Sequence, residues 1–370
     1  MSSNPIKVCH FTSVHKRYDV RILRKQCQSI SKSFQIYLVV ADGLGNEEVN
    51  GVKIIDVGKA EAGRFKRFLK TSKRVSEKAL SINADIYHFH DPELLFYSKR
   101  FLKMEKKLIY DAHEDVPRQI LSKYWIPGLI RKLVSYAFEK FENYKSSKMS
   151  YIVTATPFIR DRFIKLNKNT IDINNFPLTD VIINDSEIDF KENAVCYIGG
   201  ITKIRGVEEL VKSLEFVQVK LKLAGEISPA AFEERLKALK SWDKVDFLGF
   251  VGRDDIRSIL KSSKIGIVTL HPIENYIDAL PVKMFEYMAA GLPVIASHFP
   301  LWQNILESNN CGICVNPESP EEIANAIQFL LDNPKQAKQM GINGRNAVQD
   351  KYNWNIEEAK LIKMYKSLLS

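Results

Sequence analysis

Asp278-Ala-Leu-Pro-Val-Lys-Met-Phe-Glu-Tyr-Met-Ala-Ala-Gly-Leu-Pro-Val-Ile-Ala-Ser297 reads as loop, helix, cap and strand. Pro281 suits a first helical turn, because its ring presets φ and its missing NH would have found no partner there. Val282 to Ala290 are mostly good helix formers. Gly291 can take the left-handed position that ends a helix, and Pro293 forbids continuation. Val294, Ile295 and Ala296 then form the short apolar run of a parallel strand buried on both faces. A helix that opens out of a loop aims free amide NH groups and the positive end of its dipole at what precedes it, which makes a seat for phosphate. Two acids frame that seat: Asp278 in the loop and Glu286 on the helix.

The same unit repeats outward in both directions. Strand-like runs occupy Lys7 to Thr12, Gln35 to Val40, Val52 to Asp56, Ile86 to His90, Lys107 to Tyr110 and Tyr151 to Thr154. A second series occupies Ala194 to Ile198, Lys220 to Ala224, Val245 to Leu248, Ile265 to Thr269, Pro293 to Ser297 and Gly312 to Val315. Helical patterns alternate with them, which predicts an α/β protein with right-handed crossovers and two Rossmann-like parallel sheets. The break falls between about Phe176 and Lys191, where Phe-Pro-Leu-Thr-Asp and Asn-Asp-Ser-Glu-Ile-Asp read as a polar linker.

At 370 residues the chain exceeds one typical core. Its charge of +10 invites a polyanion, whether nucleic acid, phosphorylated substrate or anionic membrane. No helix-turn-helix, zinc or aromatic stacking motif accompanies the charge, so nucleic acid is not expected. No signal peptide and no run of about 20 apolar residues is visible, which predicts a cytoplasmic protein. Five scattered cysteines fit a reducing compartment, and Cys311-Gly-Ile-Cys314 lacks a second pair, so it reads as packing.

In open parallel sheets the ligand lies outside the carboxyl ends of the strands, so the loops there supply the candidates. The first carries His15 and Arg17, which read either as acceptor-side contacts or as a charged helix turn. The fourth carries His88, His90 and Asp91. His88 and His90 share a face by strand alternation, and a polar cleft wall is the preferred reading over a metal site because no further ligand has a metal-like spacing. After the fifth come Asp111 and His113. The second half opens on Gly199-Gly200-Ile-Thr-Lys203-Ile-Arg205-Gly206, where glycines admit a ligand to the backbone and basic side chains can hold a diphosphate.

Acid, seven residues, acid, then Tyr-Met-Ala-Ala-Gly-Leu-Pro-Val-Ile-Ala resembles the donor-site signature of the retaining glycosyltransferases of family 4, which have the GT-B fold. The resemblance is strong from about Cys196 to Trp354 and thinner before it. It implies two Rossmann-like domains with a cleft between them: an acceptor domain over residues 1–176, a sugar-nucleotide domain over 177–352, and a closing helix at about 353–370 that packs back on the first. It implies that Glu286 holds the ribose hydroxyls, that Asp278 contacts the transferred sugar, and that His113 lies near that sugar and its phosphate. Leu280, Pro281, Val282 and Lys283 then line the donor seat, while Gly225, Glu226, Phe250 and Val251 surround the base. The family usually has Glu first and Gly after the aromatic, where this chain has Asp278 and Pro281. It also usually has Arg after the first glycine and Lys before the later one; here Gly200 and Arg205 stand in those places, which leaves Lys203 or Lys283 to supply the second cation.

The implied activity is transfer of a hexosyl group, with retention, from a UDP- or GDP-sugar to a saccharide or lipid-linked saccharide, without cofactor or metal. The alternatives are a sugar-nucleotide epimerase of the same fold, a dinucleotide oxidoreductase, for which no three-glycine fingerprint is visible, and a non-enzymatic polyanion binder. The basic run Arg64, Lys66, Arg67, Lys70, Lys73, Arg74 and Lys78 alternates with Phe65, Phe68, Leu69 and Val75 at helical spacing. Lys99 to Lys107 and the helical pattern from Ile126 to Lys148 add more cations. That predicts a face resting on the inner, anionic leaflet of the cytoplasmic membrane.

Overall fold

Fourteen short strands and the helices between them sort into two sheets. The computed structural model describes residues 5–63, 66–123, 126–181, 183 and 193–369. Arg64, Phe65 and most of the expected polar linker, residues 182 and 184–192, lie outside these described residues. The chain divides into Met1–Asn175 with Asn355–Ser370, and Phe176–Trp354.

In the first unit the strands are β1 Lys7–Phe11, β2 Gln35–Val40, β3 Glu47–Val49, β4 Val52–Asp56, β5 Ile86–Phe89, β6 Lys107–Ala112, β7 Tyr151–Thr154 and β8 Thr170–Asp172. Their order is β3-β4-β2-β1-β5-β6-β7-β8, parallel except for β3 against β4. The two three-residue edge strands were not expected from the sequence, because neither is long enough to show a period. β6 also runs on to Ala112, which places Asp111 inside the sheet. Side-chain alternation then decides what faces what. Cys9, Tyr87 and Leu108 sit in register and enter one hydrophobic core, with Phe11, Phe89 and Tyr110 behind them. His10 and His88, also in register, face the other way. The final helix, Trp354–Ser367, brings Tyr365 to that face.

In the second unit β9 Ala194–Ile198, β10 Lys220–Ala224, β11 Val245–Gly249, β12 Ile265–Val268, β13 Val294–Ser297 and β14 Gly312–Val315 are all parallel in the order β11-β10-β9-β12-β13-β14. Val195 and Tyr197 belong to one core and Cys196 and Ile198 to another, so β9 is buried on both faces. The strand order reverses beside β9, which puts the crevice at the ends of β9 and β12. Pro281, at φ −68° and ψ 120°, stands just outside the helix Val282–Ala289 and not in its first turn. Gly291, at φ +74°, closes that helix: its NH bonds Met288 O and the NH of Leu292 bonds Tyr287 O, both at 3.0 Å.

Candidate functional site

The turn after β9 is built for close approach. Gly199 NH bonds Ala224 O at 2.9 Å and Gly225 NH bonds Gly249 O at 2.7 Å, which ties together the ends of three strands. A Cβ on Gly225 would lie 1.9 Å from Gly199 O, so no side chain fits there. Over this turn stand two cations. The Arg205 guanidinium donates to Gly200 O at 3.4 Å. The Lys283 ammonium lies 2.9 Å from where a Cβ on Gly199 would be, and 3.7 Å from the centroid of the Tyr197 ring. Its Nζ is buried without a hydrogen-bond partner. Neither cation is ion-paired with a carboxylate among the described residues. Burial and then Arg205 push the Lys283 pKa well below its ordinary value, with Glu286 acting in the opposite sense. Glu286 lies three positions beyond Lys283, on the same helix face.

Lys283, and not Lys203, is therefore the cation brought beside Arg205; Lys203 is exposed in the turn that follows Thr202. The sequence did not single out two groups that hold this arrangement. Tyr197 supplies the ring under Lys283 and bonds Gly200 O at 3.0 Å. Buried Trp302 donates to Ala279 O at 2.7 Å and so pins the loop that carries Asp278. Partial burial raises the Asp278 pKa. Leu280, Pro281 and Val282 are half-buried beside it, Glu226 is exposed, and Phe250 is 88% exposed just past β11 with Val251 packed on the core behind.

In the first unit the polar groups engage one another. Asp91 is buried and accepts from Thr12 Oγ1 at 2.8 Å and Ser13 NH at 2.6 Å, so it shapes the loop after β1 and presents nothing outward. Arg17 is not available as an acceptor contact: its guanidinium is buried and spent on Asp42, Glu47 and Gly45 O. His90 is buried as well, with Nε2 2.9 Å from His10 Nδ1 and Nδ1 3.3 Å from Asp111. It is an interior relay and not a cleft wall. His15 remains half-buried with Nδ1 3.2 Å from Asp19, and its ring stands 4.9 Å from that of His113. His113 Nε2 is 3.1 Å from Asp111. His88, His90 and Asp111 converge closely enough to suggest a metal, but Arg21 and Gln26 already occupy the Asp111 oxygens and both His90 nitrogens are engaged. Among these three residues, His88 Nε2 alone lacks a hydrogen-bond partner.

The basic segments of this unit meet on one surface. Phe68, in the helix that continues through Ser72–Ser81, packs at 4.7 Å on Phe96, which stacks at 4.2 Å on Phe141. Val75 is buried there, whereas Leu69 is exposed. An exposed apolar row lies on the helix Gly128–Ser146, which also carries Phe141, with Leu129 at 88% exposure followed by Ile130, Leu133 and Val134. Lys140 and Lys148 lie over Tyr136 and Tyr144 of the same helix. Among the described residues no helix is long and apolar enough to cross a membrane.

Residues 179–347 match the family described as glycosyl transferases group 1. An uncharacterized glycosyltransferase of Methanocaldococcus jannaschii is 24% identical over 293 residues, 74% of this chain and 70% of that protein. The MMP alpha-(1->4)-mannosyltransferase of Mycolicibacterium hassiacum is 22% identical over 45% of this chain and 41% of its own. Another uncharacterized Methanocaldococcus jannaschii glycosyltransferase is 28% identical over 47% of this chain, and the match again spans less than half of the relative. Among solved structures, the sucrose-phosphate synthase of Thermosynechococcus elongatus superposes with a TM-score of 0.79 at 18% identity, covering 98% of this chain and 99% of its own. Anabaena HepE in complex with UDP and glucose superposes with a TM-score of 0.74 at 14% identity over 98% and 100%. These likenesses carry the GT-B fold.

Proposed function

Because residues 179–347 match the group 1 glycosyl transferases, we propose that the protein moves a hexosyl group from a nucleoside diphosphate sugar to a hydroxyl of a saccharide acceptor, retaining the anomeric configuration. The observation that carries this reading is the pair Arg205 and Lys283, two basic groups poised over the Gly199–Gly200 turn at the point where strand order reverses, with the Lys283 nitrogen buried and making no hydrogen bond. A diphosphate supplies the charge that pair lacks. The amide end of the helix Val282–Ala289 adds to it, so no metal is needed to stabilise the departing group. Glu286 accepts from the ribose hydroxyls, Asp278 from the sugar, and the exposed Phe250 stacks on the base beside Gly225, Glu226 and Val251. UDP in the complexes of a structural neighbour supports UDP as the nucleotide, with GDP as the alternative.

No carboxylate stands out as a nucleophile, which favours a front-face reaction. The acceptor oxygen bonds to C1 as the C1–O bond to the diphosphate breaks, and the hydroxyl proton passes to the leaving phosphate. The test is turnover of a panel of UDP- and GDP-sugars with and without saccharide acceptors. Release of nucleotide and a new glycoside supports transfer, and an isomerised sugar nucleotide would point to an epimerase.

The acceptor is proposed to be lipid-linked, as in surface polysaccharide assembly, and met at the inner face of the membrane. The exposed row Leu129, Ile130, Leu133 and Val134, joined through Phe141 and Phe96 to the basic helix at Phe68, suits an anionic leaflet, where each nearby cation adds about 1 kcal/mol. Vesicle binding should require anionic lipid, fall with salt and weaken in Leu129→Ser/Leu133→Ser. Indifference to lipid charge would leave a soluble acceptor as the better account.

A further inference from the structure

Behind His113 the first unit buries a ring of proton-bearing groups. Asp111 is fully buried, and one of its oxygens, Oδ2, faces His113 Nε2 at 3.1 Å, His90 Nδ1 at 3.3 Å and the Gln26 amide at 2.7 Å. Arg21 completes its partners, with NH2 at 2.8 Å from Oδ1. A carboxylate beside a guanidinium accepts and does not donate, so the nitrogens within hydrogen-bond distance of Oδ2 turn hydrogens toward it, although His90 Nδ1 and His113 Nε2 also stand 3.2 Å from each other, where one ring can give its hydrogen to the other. Burial works against the charge of Asp111, but Arg21 and then His113 outweigh it and hold the carboxyl well below the usual range. Burial in turn holds His10, His88 and His90 below the ordinary imidazole value, His90 at about 4, so these rings are neutral near pH 7.

The orientation that places the His90 hydrogen on Asp111 runs through the whole set. His90 gives its Nδ1 hydrogen to Asp111 and accepts at Nε2 from His10 Nδ1, 2.9 Å away. His10 accepts at Nε2 from the Tyr365 hydroxyl at 2.9 Å, and that hydroxyl accepts from His88 Nδ1 at 2.7 Å. The series ends on His88 Nε2, a lone pair with no hydrogen-bond partner, 3.9 Å from Asp111. For His113 the result is the reverse of the tautomer in its three buried neighbours. Its hydrogen sits on Nε2, and Nδ1 carries a lone pair that no described residue engages, on a ring whose side chain is 16% exposed.

We infer that Asp111 is a positioning residue that fixes His113 as the Nε2–H tautomer, so that His113 meets its substrate as a hydrogen-bond acceptor at Nδ1 and selects a hydroxyl there. The inference deepens the transferase reading and rests on it only for the identity of the hydroxyl-bearing ligand. It gives His113 an acceptor's part at the sugar, because the Nε2 hydrogen is already committed to Asp111.

The tautomer can be read in the unaltered protein. In protein labelled with ¹⁵N-histidine, two-bond correlations identify which ring nitrogen carries hydrogen, and comparison with His113→Gln assigns the signals of His113. The expected result is Nε2–H for His113 with Nδ1–H for His90. An Nδ1–H ring or a doubly protonated ring at His113 would overturn the inference. Asp111→Asn supplies an amide hydrogen where the carboxylate accepted, so the His113 ring should change to Nδ1–H and glycosyl transfer should slow by about tenfold, the worth of one hydrogen bond, while nucleotide affinity stays unchanged. A changed tautomer with unaltered transfer would remove the selecting role. If the unaltered protein turns over no sugar nucleotide, the transferase reading fails and the spectrum alone decides the tautomer.

Discussion

The two units bury charge in opposite ways. In the first, Asp111 is paired with Arg21, and Arg17 is paired with Asp42 and Glu47. Nearly all of its donors and acceptors engage one another, with His88 Nε2 and Gln26 Oε1 left over, so the network is a scaffold whose product is the geometry of one ring, His113. In the second, Arg205 and Lys283 share a turn with no carboxylate bonded to either among the described residues, and the lysine nitrogen is buried unsatisfied. Groups that cost free energy in the empty protein are compensated when an anion arrives.

Removing a charge from each side tests that contrast. The largest effect belongs to Arg21→Ala, which leaves Asp111 buried and unpaired; breaking such a pair costs about 3–5 kcal/mol. Urea unfolding of the first unit should show it, and a loss under about 1 kcal/mol would mean that water or His113 compensates. Arg205→Ala should leave stability nearly intact and lower kcat by about 10²- to 10³-fold, the usual cost of one donor at a developing oxyanion. Arg205→Lys keeps the charge but loses the planar fork, so partial recovery is expected. Glu286→Ala removes charged hydrogen bonds worth about 1.5–3 kcal/mol. Nucleotide affinity measured by calorimetry should fall by about tenfold to a hundredfold, and unchanged affinity would remove Glu286 from the ribose.

The smallest effect is also the most diagnostic. Lys283→Met should raise the melting temperature of the empty protein, by about 2–4 °C for each kcal/mol recovered in a unit of this size, while weakening nucleotide binding. The pH dependence has a definite sign. Between the lowered pKa of Lys283 in the fold and about 10.4 in the unfolded chain, the unfolded state binds more protons, so this lysine makes stability rise with pH across that window. A bound diphosphate favours the charged amine, so nucleotide affinity should fall as pH rises through the same window. A variant that loses both stability and affinity would show that Lys283 is already satisfied.

How much of this was legible in the sequence depends on distance along the chain. The strand rhythm and the helix Val282–Ala289 with its cap at Gly291 are local patterns, and they read correctly. Edge strands of three residues, Glu47–Val49 and Thr170–Asp172, carry no period to read. The candidates of the second unit fall within one continuous stretch or at the ends of adjacent strands, so Arg205, Lys283 and Glu286 could be named in advance. Choosing Lys283 over Lys203 required the ring of Tyr197 under its ammonium. In the first unit the side-chain hydrogen-bond partners of His10, Asp91 and Arg21 lie 78 to 355 positions away. Spacing along the chain gives no sign of such pairs, which is why Arg17, His90 and Asp91 looked like cleft residues and are interior ones.

Tyr365 has one more consequence, concerning the order in which the protein is made. Its hydroxyl joins His10 and His88, yet the ribosome reaches it only after residues 176–354, the entire second unit, have been synthesised. At about 5–20 residues per second this is a delay on the order of ten to forty seconds, during which the strands carrying the two histidines have emerged and their covering helix does not exist. The nascent first unit therefore waits with an open, hydrated imidazole face, and the last turns of the chain complete a domain begun at its start. A stop codon just after Trp354 would yield a finished second unit beside a first unit that can never close.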